Sequence, residues 1–213
     1  MGASATIACN CLVWGRDTAH RALLIVCTGD RPGMGLLNAE RFRHPYGAPT
    51  IHVSSDASDV VLADATRAAP ARVVAESRYI PAAARNVVVA IRGSRPSSPP
   101  VVVMTPRSSW WQSTAERGGG LVCWLESLRA LIAAPPACNV IFTANSGHEL
   151  GHFGLDDFMA RRPGWERPIS EGGVTWIHFG ANMPQDRWPH AVDTDAVTGV
   201  AAAAAALVVK LTR

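Results

Sequence analysis

The stretch "GGGLVCWLESLRALIAAPPACNVIFTAN", residues 118–145, decides the fold class of this chain. Its first part predicts an amphipathic helix over 118–134. The apolar residues of this helix share one face: Leu121, Trp124, Leu125, Leu128 and Leu131. Pro135 and Pro136 end the helix, because proline cannot continue its hydrogen-bond ladder. The unbroken apolar run that follows them predicts a buried strand.

The same alternation of strand and helix extends to both sides of this stretch. Two strands, in 85–94 and 100–105, are joined by a loop rich in proline and serine. A helix over about 149–161 and a strand in 173–182 follow, and the segment 193–213 predicts a terminal helix with an Asp or Thr cap. The order favours an α/β fold with a mostly parallel, twisted sheet flanked by helices on both faces.

A smaller α/β unit is predicted before this domain. The strands "ALLIVCT" and "APTIHVSS" are followed by a helix with a cap at Asp56, and "ARVVAES", 71–77, predicts a third strand. The predicted organisation is therefore a small α/β unit over 1–84 and a main α/β domain over 85–213.

Composition limits the classes of partner. The chain has 213 residues, a net charge of +3 and no basic run, so nucleic acid is not an expected partner. No segment approaches the roughly 20 apolar residues of a membrane helix, so no membrane partner is expected either. The five cysteines have irregular spacing, which predicts free thiols and a cytoplasmic localisation.

The motif "SGHELGHFG", 146–154, contains His-Glu-x-x-His. On a helix, His148 and His152 would share one face and bind zinc, while Glu149 would activate the metal-bound water as in a zincin-type metalloprotease. The motif directly follows a predicted strand, however, where a strand-to-helix turn is expected. A turn whose histidines only cap and pack is the alternative interpretation.

Four segments carry a resemblance to a known family: "RNVVVAIRGSRPSSPPVVVMTPRSSW", "AERGGGL", "GHELGHFG" and "NMPQDRWPHAVDTDAV". They resemble metallopeptidase family 28, the di-zinc aminopeptidases and glutamate carboxypeptidase II-like exopeptidases. The resemblance implies a zinc exopeptidase-like α/β fold, zinc as cofactor and aminopeptidase-type amide hydrolysis. The N-terminal unit is similar to the protease-associated domain that often accompanies these enzymes.

The chain departs from the family at several metal-ligand positions. Thr105 and Arg107 stand where the family has His and Asp, and Asn182 stands at the final His. His148 replaces the glutamate base, whereas Glu149 keeps the second glutamate, a metal ligand. The resemblance therefore implies one degenerate zinc site with catalytic residues Glu149 and His148. Its metal ligands would come from His148, Glu149, His152 and Glu116, the last at the position of the bridging Asp.

The ligand expected at this site is a small peptide or an amino-acid derivative, and a homo-oligomer is left open. Arg107, Trp110 and Trp111 are the predicted substrate-binding residues, and His178 ends a strand that leads to the same edge of the sheet. The rival hypothesis is a catalytically inactive module that binds a small carboxylate or peptide. In that case Arg107 and the glycine-rich helix start would hold the carboxylate.

Overall fold

The computed structural model of the chain describes residues 15, 19–27, 33–34, 41–110, 114–180 and 192–213, with the backbone alone for 114–116. The chain divides into two compact units, Met1–Ala82 and Ala83–Arg213. All of the predicted site residues belong to the second unit.

In the N-terminal unit, two short strands pair in parallel. Strand β1, Leu23–Val26, lies beside β2, Thr50–Val53. A 3-10 turn over Ser55–Ala57 then leads into helix α1, Ser58–Thr66. The unit is thus of the α/β type, with a sheet of two strands within the described residues.

Two details of this unit correct the predictions. Asp56 does not cap the helix: it lies inside the 3-10 turn, which Ser54 caps by accepting the backbone N–H of Asp56, and helix α1 follows Ala57 without a side-chain cap. The strand predicted over 71–77 is absent. Val74 in this segment is 73% exposed, so the β-branched residues there have no sheet to pack against, and local propensity alone does not form a strand.

The C-terminal unit is built on a four-stranded sheet. Its strands are β3, Val87–Ile91; β4, Val101–Pro106; β5, Val140–Asn145; and β6, Thr175–His178. The spatial order is β3-β5-β4-β6, with β4 parallel to both β5 and β6, and β3 antiparallel to β5. The prediction of a mostly parallel sheet is confirmed, and β4 and β5 are its two central strands.

Helices cover both faces of this sheet, as predicted. On one face, Val103 and Phe142 pack against helix α2, Thr114–Ala133. On the other face, Val102 packs against Phe158 of helix α3, Phe153–Ala160. Because both faces are buried, the central strands need apolar side chains at successive positions, which explains their unalternating sequence.

Helix α2 begins earlier than predicted and uses a narrower apolar face. It starts at Thr114, and Trp124 and Leu131 are buried in the core. Leu125 is 48% exposed, so its assignment to the buried face is wrong. The buried stripe follows spacings of three and four residues through Trp124, Leu128 and Leu131, and Leu125 lies off that stripe.

The terminal helix α4, Thr194–Leu211, has the predicted Asp cap, since Asp193 accepts the backbone N–H of Ala196. Its buried residues are Ala201, Ala204 and Val208. By length and composition alone this helix could cross a membrane, with a mean hydropathy of 1.5 and 17% of it buried. That result corrects the expectation that no segment comes near this threshold, although a core helix of a globular domain meets the same criterion.

Candidate active site at the carboxyl edge of the sheet

The candidate site is formed by a tight turn, 146–152, between the carboxyl end of β5 and helix α3. Three residues of this turn have positive φ: Gly147 at 73°, Gly151 at 97° and His152 at 63°. Left-handed backbone cannot continue a right-handed helix. Helix α3 therefore starts at Phe153, and the prediction of a helix from about 149 is wrong at its start.

This geometry removes the helix that a zincin motif requires. His148 and His152 lie in the turn, where the N–H of His152 donates to the carbonyl of His148 at 3.3 Å. Their rings are in T-shaped contact, with centroids 4.3 Å apart. The two imidazoles are close to each other, but they do not project from successive turns of one helix.

The turn is held by Asn86, the residue before β3. Its Oδ1 accepts the N–H of Ser146 at 3.0 Å, and its Nδ2 donates to the carbonyl of Gly154 at 2.7 Å. The N–H of Gly154 donates to the carbonyl of Ser146 at 2.9 Å. A Cβ at position 154 would collide with Asn86 and with the Ser146 carbonyl, so this position requires glycine.

Glu149 forms a buried ion pair. Arg117 of α2 donates from Nη2 to Oε1 of Glu149 at 2.6 Å, and the hydroxyl of Ser108 donates to Oε2 at 2.7 Å. The side chains of Arg117 and Glu149 are 7% and 6% exposed. A buried charge that loses its partner is strongly destabilising. The two side chains therefore hold each other in place.

Ser108 connects this ion pair to the turn. Its Oγ accepts the backbone N–H groups of Gly147 at 2.9 Å and His148 at 3.2 Å, and its carbonyl accepts from Nε of Arg117 at 2.8 Å. Sequence analysis missed both Ser108 and Arg117. The available signal was that Ser108 follows the end of a central strand, where parallel sheets place their sites.

The pKa values of two histidines, His148 and His178, are lowered, which favours their neutral form. Burial, followed by the nearby positive charges of Arg117 and His152, lowers the pKa of His148 from 6.5 to about 4. Burial and the charge of Arg117 also lower the pKa of His178, at the end of β6. Because His178 acts electrostatically on His148, the structure brings it to the same cluster.

A small concavity opens beside these histidines. Its lining residues are Met104, Pro106, Asn145, Ser146, His148, His152 and Leu155. It has room for about one water molecule. Asn145 is 4% exposed, and its Oδ1 accepts the hydroxyl of Thr143 at 2.8 Å. Its buried Nδ2 has no hydrogen-bond partner within the part of the chain that the structure describes.

The other predicted site residues are distributed around this cluster. Arg107 is exposed, and its Nη1 donates to the carbonyl of Arg85 at 2.6 Å and to Ser146 Oγ at 3.2 Å. Trp110 is 41% exposed and is not among the residues that line the concavity. Outside the described residues lie Trp111, Asn182 and the side chain of Glu116.

The described side chains do not fit the zinc ion that the resemblance implies. Both carboxylate oxygens of Glu149 are engaged by Ser108 and Arg117, so a zinc ion would have to compete with these donors. The guanidinium of Arg117 beside that carboxylate would repel a cation. Thr105, at a family ligand position, donates its hydroxyl to the carbonyl of Phe179. Among the side chains described, no group of three or more His, Cys, Asp or Glu could hold a metal.

Solved structures that are similar to this chain include a peptidase precursor. No protein-family profile matches the chain, and no curated protein matches it in sequence. The chain is similar to a peptidase M28 precursor from Shewanella amazonensis SB2B, at 17% identity and a TM-score of 0.48. The match covers 68% of this chain and 35% of that protein, so the chain spans about a third of its length.

Proposed function

We propose that the C-terminal unit is a non-hydrolytic binding module for a small carboxylate, such as an amino-acid derivative or the end of a short peptide. The observation that carries this proposal is the buried ion pair between Glu149 and Arg117. In this pair the carboxylate of Glu149, the acidic residue of the turn, is bound to Arg117. Amide hydrolysis would use that carboxylate as a general base or as a metal ligand.

The two predicted catalytic residues are poorly suited to proton transfer. The oxygens of Glu149 are directed at Arg117 and Ser108, so a water molecule would have to compete with an ion pair for them. His148 has a pKa of about 4, and a base with a pKa that far below neutral accepts a proton weakly. The arrangement therefore favours binding over hydrolysis.

The groups that remain available are mainly hydrogen-bond donors. A neutral imidazole at His148, which lines the concavity, offers one N–H. Arg107 lies next to Ser146, which lines the concavity, and forms no ion pair within the described residues. A guanidinium with neighbouring N–H donors is suited to a carboxylate, because charge-assisted hydrogen bonds are the stronger ones.

The first test is hydrolysis. Amino-acid anilides should show no turnover above the buffer rate, with or without added zinc or cobalt. The matched control is Glu149→Gln, with its folding checked by circular dichroism. This variant should give the same background rate of hydrolysis. Robust turnover by the wild type that Glu149→Gln abolishes would overturn the proposal and favour the metallopeptidase hypothesis.

The second test is binding. Titration of the 15N-labelled wild type with propionate should shift backbone resonances of the 146–152 turn in a saturable way. Arg107→Ala should weaken binding about tenfold, through loss of a charge-assisted contact. Arg107→Lys should recover part of it. Arg92→Ala is the control variant: it removes the same charge just after the far end of β3 and should leave propionate binding unchanged. Absence of saturable shifts in the wild type would contradict the proposal.

A further inference from the structure

We propose that helix α4 is the contact surface of a homodimer, in which the α4 helices of two copies of this chain pack side by side in antiparallel orientation. The lining of the concavity includes no described residue of α4. The proposal therefore goes beyond the carboxylate-binding function and does not depend on it.

The first support is the apolar character of the exposed side of α4. The residues that bury the other side of this helix are Ala201, Ala204 and Val208. Val200, Leu207 and Leu211 are 60%, 48% and 49% exposed. The helix carries no charged residue over 196–209. A surface helix normally presents charged and polar residues to water, so this side of α4 is suited to contact with another apolar surface.

The second support is the alternation of large and small side chains along this exposed side. Four exposed residues recur at spacings of four, three and four positions and so share one side of the helix: Ala196, Val200, Ala203 and Leu207. When two such helices run antiparallel about a twofold axis, Val200 of one copy faces Ala203 of the other. Leu207 faces Ala196 in the same register. Each large side chain then meets a small one, which is how packed layers interdigitate.

The third support is the distribution of charge along α4. Asp193 and Asp195 lie at its start, and Lys210 lies in its last turn. All three are exposed, and none of them forms an ion pair within the described residues. In the antiparallel register, Lys210 of each copy lies beside the acidic start of the other helix. A parallel pairing would bring like charges together, so the charges favour the antiparallel, self-complementary contact.

The size of the surface indicates a weak dimer. With 18 residues, α4 is about 27 Å long, and at a diameter of about 10 Å its exposed side covers roughly 300 Å² per copy. Stable interfaces bury about 800 Å² per partner, so a contact through α4 alone should dissociate at micromolar or higher concentrations. A lipid surface is less suited to this helix. Helices that bind lipid surfaces are rich in Lys and Arg, whereas α4 contains one Lys and no Arg.

The first test is self-association of the full chain. Analytical ultracentrifugation from about 10 μM to about 1 mM should show a reversible change from monomer to dimer. Leu207→Glu places a charge in the contact and should lower the association constant at least about tenfold. Ile169→Glu is the control, because Ile169 is 57% exposed and lies in the turn between α3 and β6. This control should leave association unchanged, and circular dichroism checks the folding of both variants.

The second test addresses the antiparallel pairing and covers the case in which Leu207→Glu impairs folding. Asp195→Lys and Lys210→Glu should each weaken the homodimer about three- to tenfold, because each variant brings like charges together at both ends of the contact. An equimolar mixture of the two variants should recover the association of the wild type. In the mixed dimer, opposite charges meet again at both ends.

Three outcomes would overturn the proposal. The first is a wild type that stays monomeric up to about 1 mM. If that monomer sediments with vesicles of phosphatidylcholine and phosphatidylserine, the partner of α4 is a lipid surface. The second is a dimer that a folded Leu207→Glu variant retains unchanged, since its contact would lie elsewhere. The third is unchanged association of both single charge variants. None of these measurements involves propionate, so the proposed function is tested separately.

Discussion

The guanidinium of Arg117 and the carboxylate of Glu149 lie 2.6 Å apart, and both side chains are almost completely buried. They come from segments that are 32 residues apart in the chain, the first turns of α2 and the turn after β5. The pair therefore ties a helix to the candidate site. In this structure the acidic residue of the His-Glu-x-x-His sequence has a structural partner, which changes the role expected for it.

We expect removal of either charge from this pair to destabilise the fold. Glu149→Gln or Arg117→Met should lower the free energy of unfolding by about 3–5 kcal/mol, because the remaining charge stays buried without its partner. The double variant should lose less free energy of unfolding than the two single variants lose together. Urea denaturation measures all three. Glu126→Gln, in an exposed i,i+3 pair with Arg129, is the control and should cost at most about 0.5 kcal/mol.

Stability should fall as the pH is lowered from 6.5 to about 4. The pKa of His148 is about 4 in the folded chain and near 6.5 when unfolded, so the unfolded state binds more protons between these values. The lowered pKa of His178 acts in the same direction. His148→Gln should reduce the acid sensitivity of the melting temperature. An NMR titration that placed the His148 ring near 6.5 would contradict this prediction.

Position 154 should not accept a side chain. Gly154→Ala places a methyl group against Asn86 and the Ser146 carbonyl, and should cost about 1–3 kcal/mol through overpacking. Gly119→Ala is the matched control, because a Cβ there meets no atom within 4 Å and the residue lies inside helix α2. It should stabilise the protein by roughly 0.5–1 kcal/mol. Thermal unfolding compares the two, and equal effects would contradict the assigned packing.

The two leucines Leu131 and Leu125 test which face of α2 packs against the sheet. Leu131 is fully buried and Leu125 is 48% exposed. We expect Leu131→Ala to cost about 2–5 kcal/mol and Leu125→Ala about 1 kcal/mol or less. Guanidinium denaturation provides the comparison. A larger loss for Leu125→Ala would mean that the helix is rotated from the described orientation.

The sheet was predictable because its central strands have no polar alternation. Val101, Val102 and Val103 are consecutive and all buried, and only a strand covered on both faces needs that pattern. The covering helices follow from the same requirement. The residues by which each helix contacts the sheet cannot be predicted in the same way, because Leu125 and Leu128 are chemically alike and only the tertiary packing distinguishes them.

The strand-to-helix turn at 146–152 was predictable, but the conformation and the partners of its residues were not. That turn was expected from the strand that precedes it, whereas the positive φ of His152 has no clear local sequence signal, since residues other than glycine adopt that conformation only uncommonly. The partner of Glu149 was missed because Arg117 is distant in sequence. Long-range pairing of a buried charge depends on the fold rather than on a motif.

The hydrogen bonds of the Asn86 side-chain amide couple local unfolding of the candidate site to β3. It joins the candidate site to β3, an edge strand that pairs only with β5 within the described residues. An edge strand has a ladder on one side and opens at lower cost than a central one. Peeling of β3 would release the turn while the central strands stayed paired. The local stability of the site is therefore that of the edge of the sheet. Amide hydrogen exchange at Ser146 should detect fraying of β3 before the core unfolds.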